Sequence, residues 1–140
     1  MTWYAAHIVM LVRFKQGQQR RVPAWENVVL IQAADERSAI AKAEAIGAAE
    51  CGDGDGSFRW AGKPATWEFG GVRRLCSCAL TGDRPASGDE ITYHELEFES
   101  LAAAKKYAAG QPLLVQHQDQ IRELSDSELA ESSKARRKRA

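Results

Sequence analysis

The chain has 140 residues, of which 44% are hydrophobic and 27% are charged, as expected for one soluble globular domain. Its longest aliphatic run, residues 8–12, is too short for a membrane-spanning helix, which needs about 20 apolar residues. The odd number of cysteines, three, argues against a secreted disulfide framework, and no signal-peptide pattern opens the sequence. We therefore expect a cytoplasmic protein with no membrane association.

The neutral formal charge of the chain hides an uneven distribution. The last seven residues, here called the basic tail, contain no acid and five cations: Lys134, Arg136, Arg137, Lys138 and Arg139. The other 133 residues contain 14 basic and 19 acidic side chains. We expect a mildly acidic body followed by a flexible basic segment.

The first 50 residues predict two strands and a helix. Residues 2–14 alternate between two faces that are both largely apolar, which is typical of a central strand. A polar segment, residues 15–21, predicts a hairpin loop, and residues 27–33 predict the second strand. Asp35 is well placed to cap an alanine-rich amphipathic helix that ends near residue 50. This ββα unit is expected to place the helix over one face of a sheet.

The second half of the chain predicts shorter elements. Gly70 and Gly71 indicate a bulge, and Ser100 is suited to cap a helix over residues 101–109. Further strands are predicted at residues 58–60, 65–69, 72–80, 91–98 and 113–117.

Together the elements predict an α+β fold, with an antiparallel sheet of about five to seven strands and two helices packed on one of its faces. The predicted order is ββα-βββ-α-β. We expect a single domain over residues 1–124, and a weak helix with the basic tail over residues 125–140.

Several sequence blocks resemble a bacterial family known as domain of unknown function 4288. The blocks are Trp3-Tyr4-Ala5-Ala6, Trp25-Glu26-Asn27, Ala41-Lys42-Ala43-Glu44, Gly62-Lys63-Pro64-Ala65-Thr66-Trp67-Glu68-Phe69 and Gly71-Val72. The resemblance covers roughly residues 2–75 and extends more loosely to residue 98. It implies a small bacterial α+β protein, and it supplies no reaction, ligand or catalytic residue.

Four tryptophans in the N-terminal half suggest a binding surface, because tryptophan is enriched at interaction hot spots. Core packing is the alternative role for these side chains. The candidate binding residues are Trp25, Glu26, Trp67 and Tyr93. Our first hypothesis is a non-catalytic module that binds a protein partner. The acidic body favours a cationic partner, as for an accessory protein of the immunity or defence type.

The second hypothesis is a nucleic-acid accessory protein. Arg20 and Arg21 in the hairpin loop and the cations of the basic tail would neutralise phosphates without reading base sequence. No aromatic residue lies between the cations of the tail, so base stacking is not offered there. A solubilising tail is the alternative interpretation.

The third hypothesis is a small metal protein or enzyme that uses cysteine and histidine. Cys76 and Cys78 lie two residues apart on one predicted strand, so their thiols share a face. A metal site or a nucleophilic thiol would need His7, His94 or His117 nearby, and no CxxC or HxxxH spacing is present. We therefore predict that the protein is not an enzyme and has no catalytic residue, cofactor or metal ligand.

Overall fold

The computed structural model describes residues 1–117. In chain order its elements are β1 (Thr2–Phe14), β2 (Ala24–Ala33), α1 (Glu36–Ala49), β3 (Arg59–Trp60), β4 (Lys63–Ser77), β5 (Leu96–Glu97), α2 (Leu101–Ala108) and β6 (Gln116–His117). The weak helix and basic tail predicted for residues 125–140 lie outside the described residues. Within the described part, neither helix is long and apolar enough to cross a membrane.

Four of the strands form an antiparallel sheet in the order β2-β1-β4-β3, while β5 and β6 pair separately with each other. The α+β class and the antiparallel sheet are therefore confirmed. The prediction of five to seven strands in one sheet is wrong, because the main sheet has four. After β4, the Gly/Pro/Asp-rich segment leaves the main sheet. An isolated β-bridge joins Ala79 to Glu90.

The strand β4 is long and irregular, and it includes the predicted bulge. Its register against β1 shifts between Val9 and Met10, where Gly70 is the extra residue. A Cβ on Gly70 would lie 3.1 Å from the carbonyl oxygen of Val9, and Gly71 has a φ of +147°, which side chains rarely adopt. Glycines are needed here because the bulge brings β4 close to the central strand.

The helix α1 packs on one face of the sheet, here called the helix face. Its buried residues, Ala39, Ala43 and Gly47, are small and allow a close approach to the sheet. They cover a core formed mainly by the alternate residues Tyr4, Ala6, Ile8 and Met10 of β1. The carboxylate of Asp35 accepts a hydrogen bond of 2.7 Å from the amide of Ser38, which confirms the predicted cap.

The prediction that both helices pack on the same face is correct for α1 and wrong for α2. No residue of α2 is buried, and α2 makes few contacts with the main sheet. It lies between β5 and β6 in the chain, and Tyr107 packs against Phe98 with a distance of 5.2 Å between ring centroids. β5 and β6 pair with each other, and α2 connects them in the chain, so the three elements form a small unit apart from the main sheet.

The opposite face of the sheet, here called the second face, is partly covered by residues 90–95, here called the covering segment. A strand was predicted at residues 91–98, but only Leu96–Glu97 forms one. The carbonyl of Tyr93 accepts a hydrogen bond from the guanidinium of Arg74 in β4. The carbonyl of Tyr93 is therefore hydrogen-bonded to a side chain rather than to a neighbouring strand.

Candidate functional site

The four predicted binding residues do not form one surface. Trp25 and Trp67 lie together on the helix face, with 5.1 Å between their ring centroids. Glu26 and Tyr93 lie on the second face, where Glu26 is opposite Val9 in the register of β1 and β2. Trp25 and Glu26 are neighbours in one strand, so their side chains point to opposite faces.

The tryptophans of the helix face belong to a larger aromatic cluster, which consists of Trp25, Phe58, Trp60 and Trp67. Phe58 is stacked on Trp67 with 5.1 Å between centroids, and Trp60 lies edge-on at 6.2 Å from both Trp25 and Trp67. Trp67 packs against the core, whereas Trp25 is 53% exposed. The cluster thus combines the two predicted roles: it extends the core, and it presents one large aromatic side chain to solvent.

The strand β2 is a long edge strand of the main sheet, and its outer side is here called the β2 edge. No described strand pairs with it, and its ten residues include no lysine, arginine or proline. Val28 is 39% and Leu30 38% exposed on the second face. Native edge strands are usually short, charged or interrupted by proline, because free backbone groups can pair with another chain. Apart from the single charge of Glu26, the β2 edge has none of these protections.

Two histidines and a glutamate lie together on the second face. The side chain of His7 is 0% exposed, and its Nε2 lies 2.7 Å from Oγ1 of Thr92 in a hydrogen bond. Among residues 1–117, no hydrogen-bond partner is found for its Nδ1, which lies 3.9 Å from Oε2 of Glu26. The ring of His94 meets that of His7 edge-on, with 5.6 Å between centroids. We call His7, Glu26 and His94 the His–Glu cluster.

Two arginines flank the His–Glu cluster. Arg73 forms an ion pair with Oε1 of Glu26 at 3.4 Å, and Arg74 lies over the ring of Tyr93 at 4.5 Å. Burial lowers the pKa of His7, Glu26 opposes that effect, and Arg74, His94 and Arg73 add to it. The net lowering of its pKa favours the neutral imidazole of His7.

The three cysteines lie outside the metal-ligating group found among the described residues. All three are free thiols, and Cys76 contacts Oγ1 of Thr92 at 3.4 Å as part of the packing under the covering segment. Burial, with a smaller effect of Cys76, raises the pKa of the Cys78 thiol. A raised pKa reduces the thiolate fraction that a nucleophile needs. Among residues 1–117, the group identified as able to share a metal ion is the His–Glu cluster, which contains no cysteine.

The predicted nucleic-acid surface is described only in part. Arg20 and Arg21 are exposed in the loop between β1 and β2, and the basic tail lies outside the described residues. Residues 1–117 contain 13 lysines and arginines and 14 aspartates and glutamates. The acidic excess of the body therefore lies mainly in residues 118–133, and the described part is almost neutral.

Sequence reasoning did not group His7 with Glu26 and His94. It interpreted His7 as a hydrogen-bonded structural imidazole, which the contact with Thr92 confirms. The grouping depends on the register between β1 and β2 and on the path of the covering segment. Composition and spacing do not determine either of these.

Comparison with known proteins returned a family match. A family model described as "Domain of unknown function (DUF4288)" matches residues 3–92. The comparisons with curated proteins and with solved structures returned no match. The matched region contains α1 and all of the main sheet except Thr2, together with His7, Glu26 and Thr92, and it ends two residues before His94.

Proposed function

The chain belongs to the DUF4288 family, and from this premise we propose that it is a non-catalytic binding module that engages a protein partner through the β2 edge. The observation that carries the proposal is the unprotected edge itself. It has ten residues with one side free of any described strand, and Val28 and Leu30 are exposed beside it. Exposed edges of this kind accept an added strand from another chain.

In this mode an extended segment of the partner lies alongside β2 and continues the sheet. Main-chain hydrogen bonds supply affinity, and side chains on the two faces of β2 supply specificity. Val28 and Leu30 offer apolar contacts on the second face, and Trp25 offers an aromatic contact on the helix face. Tryptophan at such a position is a frequent source of binding energy.

The charge of the β2 edge favours a protein over a nucleic acid. Glu26 is the one charged residue of β2, and its carboxylate would repel phosphates. Because residues 1–117 are almost neutral, we assign partner selection to strand pairing and apolar contact rather than to charge. An accessory role of the immunity or defence type fits this mode, since covering a partner's surface is then the function itself.

The test introduces a positively charged side chain on the β2 edge. We expect Val28→Lys and Leu30→Lys each to reduce recovery of the partner about tenfold or more, which corresponds to about 1.4 kcal/mol of binding free energy. The measurement is quantitative cross-linking in native cells, followed by binding of the identified partner to the purified variants. Ala41→Lys, a similar change on an exposed residue of α1, is the matched control and should bind like the wild type.

Hydrogen exchange provides a second measurement. Amides of residues 24–33 should become protected when the partner binds, whereas those of α1 should not change. Self-association that both β2 variants abolish would identify the partner as a second copy of the chain. Binding that the two β2 variants leave intact, or the absence of any specific partner, would contradict the proposal.

A further inference from the structure

We propose that the His–Glu cluster binds one Zn²⁺ ion, with His7, Glu26 and His94 as its three protein ligands. One ligand atom from each residue lies within 4.8 Å of the other two. The three residues come from β1, β2 and the covering segment, so the ion would join parts of the chain that are far apart in sequence. This inference goes beyond the proposed function, which uses the outer side of β2 and its exposed apolar side chains.

The distances are close to those of a zinc site. With bonds of about 2.0–2.1 Å, two ligand atoms in a tetrahedral zinc site are separated by about 3.3–3.4 Å. The Nδ1 atom of His7 lies 3.9 Å from Oε2 of Glu26. Glu26 and His94 are exposed, so their side chains can rotate toward the buried and fixed His7 to complete the approach.

The surroundings of His7 support its role as a ligand. Its Nε2 atom is hydrogen-bonded to Thr92, and its buried Nδ1 atom has no hydrogen-bond partner in the described part of the chain. When Nε2 carries the proton and donates a hydrogen bond to Oγ1 of Thr92, Nδ1 presents its lone pair toward Glu26. A hydrogen bond from the second ring nitrogen is the usual way in which proteins orient a metal-binding histidine.

The donor atoms favour a transition metal over a hard cation. Two imidazoles and one carboxylate form a ligand set found in zinc sites and in non-haem iron(II) sites, whereas Mg²⁺ and Ca²⁺ prefer oxygen ligands. We propose zinc because its tetrahedral sites commonly combine three such protein ligands with one water. Three protein ligands leave one tetrahedral position for water. Because Glu26 and His94 are exposed, this position faces solvent.

The positive charges of the neighbouring arginines oppose binding of a cation, and this effect distinguishes a metal site from an anion site. Arg73 holds Oε1 of Glu26 at 3.4 Å, so it competes with the metal for this carboxylate. Arg74 interacts with the carbonyl and the ring of Tyr93. Replacing Arg73 by glutamine should therefore tighten zinc binding, whereas the same change would weaken an anion site.

The experiment uses the full chain without an affinity tag. Zinc chloride is titrated by calorimetry, and the melting temperature is measured with and without zinc, because an ion that binds the folded chain raises it. We expect Thr92→Val to weaken binding about 10–100-fold, as for other residues that orient a ligand. We expect Glu26→Gln and His94→Ala to weaken it more, and Arg73→Gln to strengthen it. Both ligand variants change exposed side chains and should fold normally.

Three control variants distinguish this site from other zinc sites. Glu36→Gln lies in the first turn of α1, on the other side of the sheet, and His117→Ala removes the third histidine of the chain. The third control replaces Cys51 and Cys78 by serine and keeps Cys76, which contacts Thr92. All three should bind zinc like the wild type. Absence of zinc binding, unchanged binding in Glu26→Gln and His94→Ala, or loss of binding in the cysteine variant would overturn the proposal.

Discussion

His7 and Arg74 are the two buried polar or charged residues of the described chain, and they are opposite each other in β1 and β4. Leaving a buried polar group unpaired costs about 1–3 kcal/mol. Thr92 contacts His7, and the carbonyl of Tyr93 accepts a hydrogen bond from Arg74. The two polar residues therefore hold the covering segment on the second face.

Asp35 is the residue at which local chemistry determines where α1 begins. Its carboxylate accepts a hydrogen bond from the Ser38 amide, and this bond lowers the pKa of Asp35. We predict that Asp35→Ala lowers the melting temperature at pH 7, because the first turn of the helix loses its cap. Thermal unfolding followed by circular dichroism measures the change. Asp35→Asn is the control and should melt close to the wild type, since asparagine caps equally well.

The same cap predicts a pH dependence. The pKa of Asp35 is lower in the folded chain than its ordinary value of 3.8, so the unfolded chain binds the proton more tightly. The stabilising effect is therefore complete above pH 3.8 and is lost as the pH falls through the lower pKa of the folded chain. The difference between wild type and Asp35→Ala should shrink in this range. A difference that is constant from pH 7 to pH 2 would contradict the assignment.

At the scale of elements, the contact between α1 and β4 depends on one glycine. Gly47 is buried in α1, and a Cβ at this position would lie 2.4 Å from ring carbons of Phe69. Contacts this short do not occur for real Cβ atoms, so the ring or the helix would have to move. Glycine has a lower helix propensity than alanine, but at position 47 it allows the helix to lie close to the sheet.

We predict that Gly47→Ala destabilises the protein although alanine is the better helix former. The propensity gain is about 1 kcal/mol, and overpacking costs about 1–3 kcal/mol, so the free energy of unfolding should fall by up to about 2 kcal/mol. Urea denaturation measures this value. The double variant Gly47→Ala/Phe69→Leu should be more stable than the single variant Gly47→Ala. Higher stability of Gly47→Ala than of the wild type would show that Phe69 moves freely.

At the scale of the whole molecule, the described chain consists of a main sheet with α1 and a small unit of β5, α2 and β6. The main sheet and α1 enclose the core, whereas α2 buries no residue. Local stability follows buried apolar contact, so the two parts should open with different free energies. The two helices differ in packing and not in capping, since both begin with a side-chain cap.

Hydrogen exchange tests this difference. We predict that amides of α2, residues 101–108, exchange faster than those of α1, residues 36–49, and that the central strand β1 exchanges slowest. Mass spectrometry of peptides from a timed exchange series measures the rates. Equal protection of the two helices would mean that α2 is covered by a part of the chain or a partner that the described contacts do not include.

The sequence by itself determined the local structure of this protein and much of its layering. The alternation in residues 2–14 predicted β1, Asp35 predicted the start of α1, and Gly70 predicted the bulge in β4. These features depend on neighbours in the chain, through side-chain direction, capping and backbone freedom. The same alternation separates Trp25 from Glu26, although we had expected them on one surface.

The tertiary structure alone decided which distant residues meet. The register of β1 and β2 brings Glu26 to His7, and the path of the covering segment adds His94. β5 pairs with β6 and not with the main sheet, and α2 lies outside the core. Each of these depends on a balance of packing and hydrogen bonding between residues far apart in the chain, and such a balance leaves no short-range pattern in the sequence.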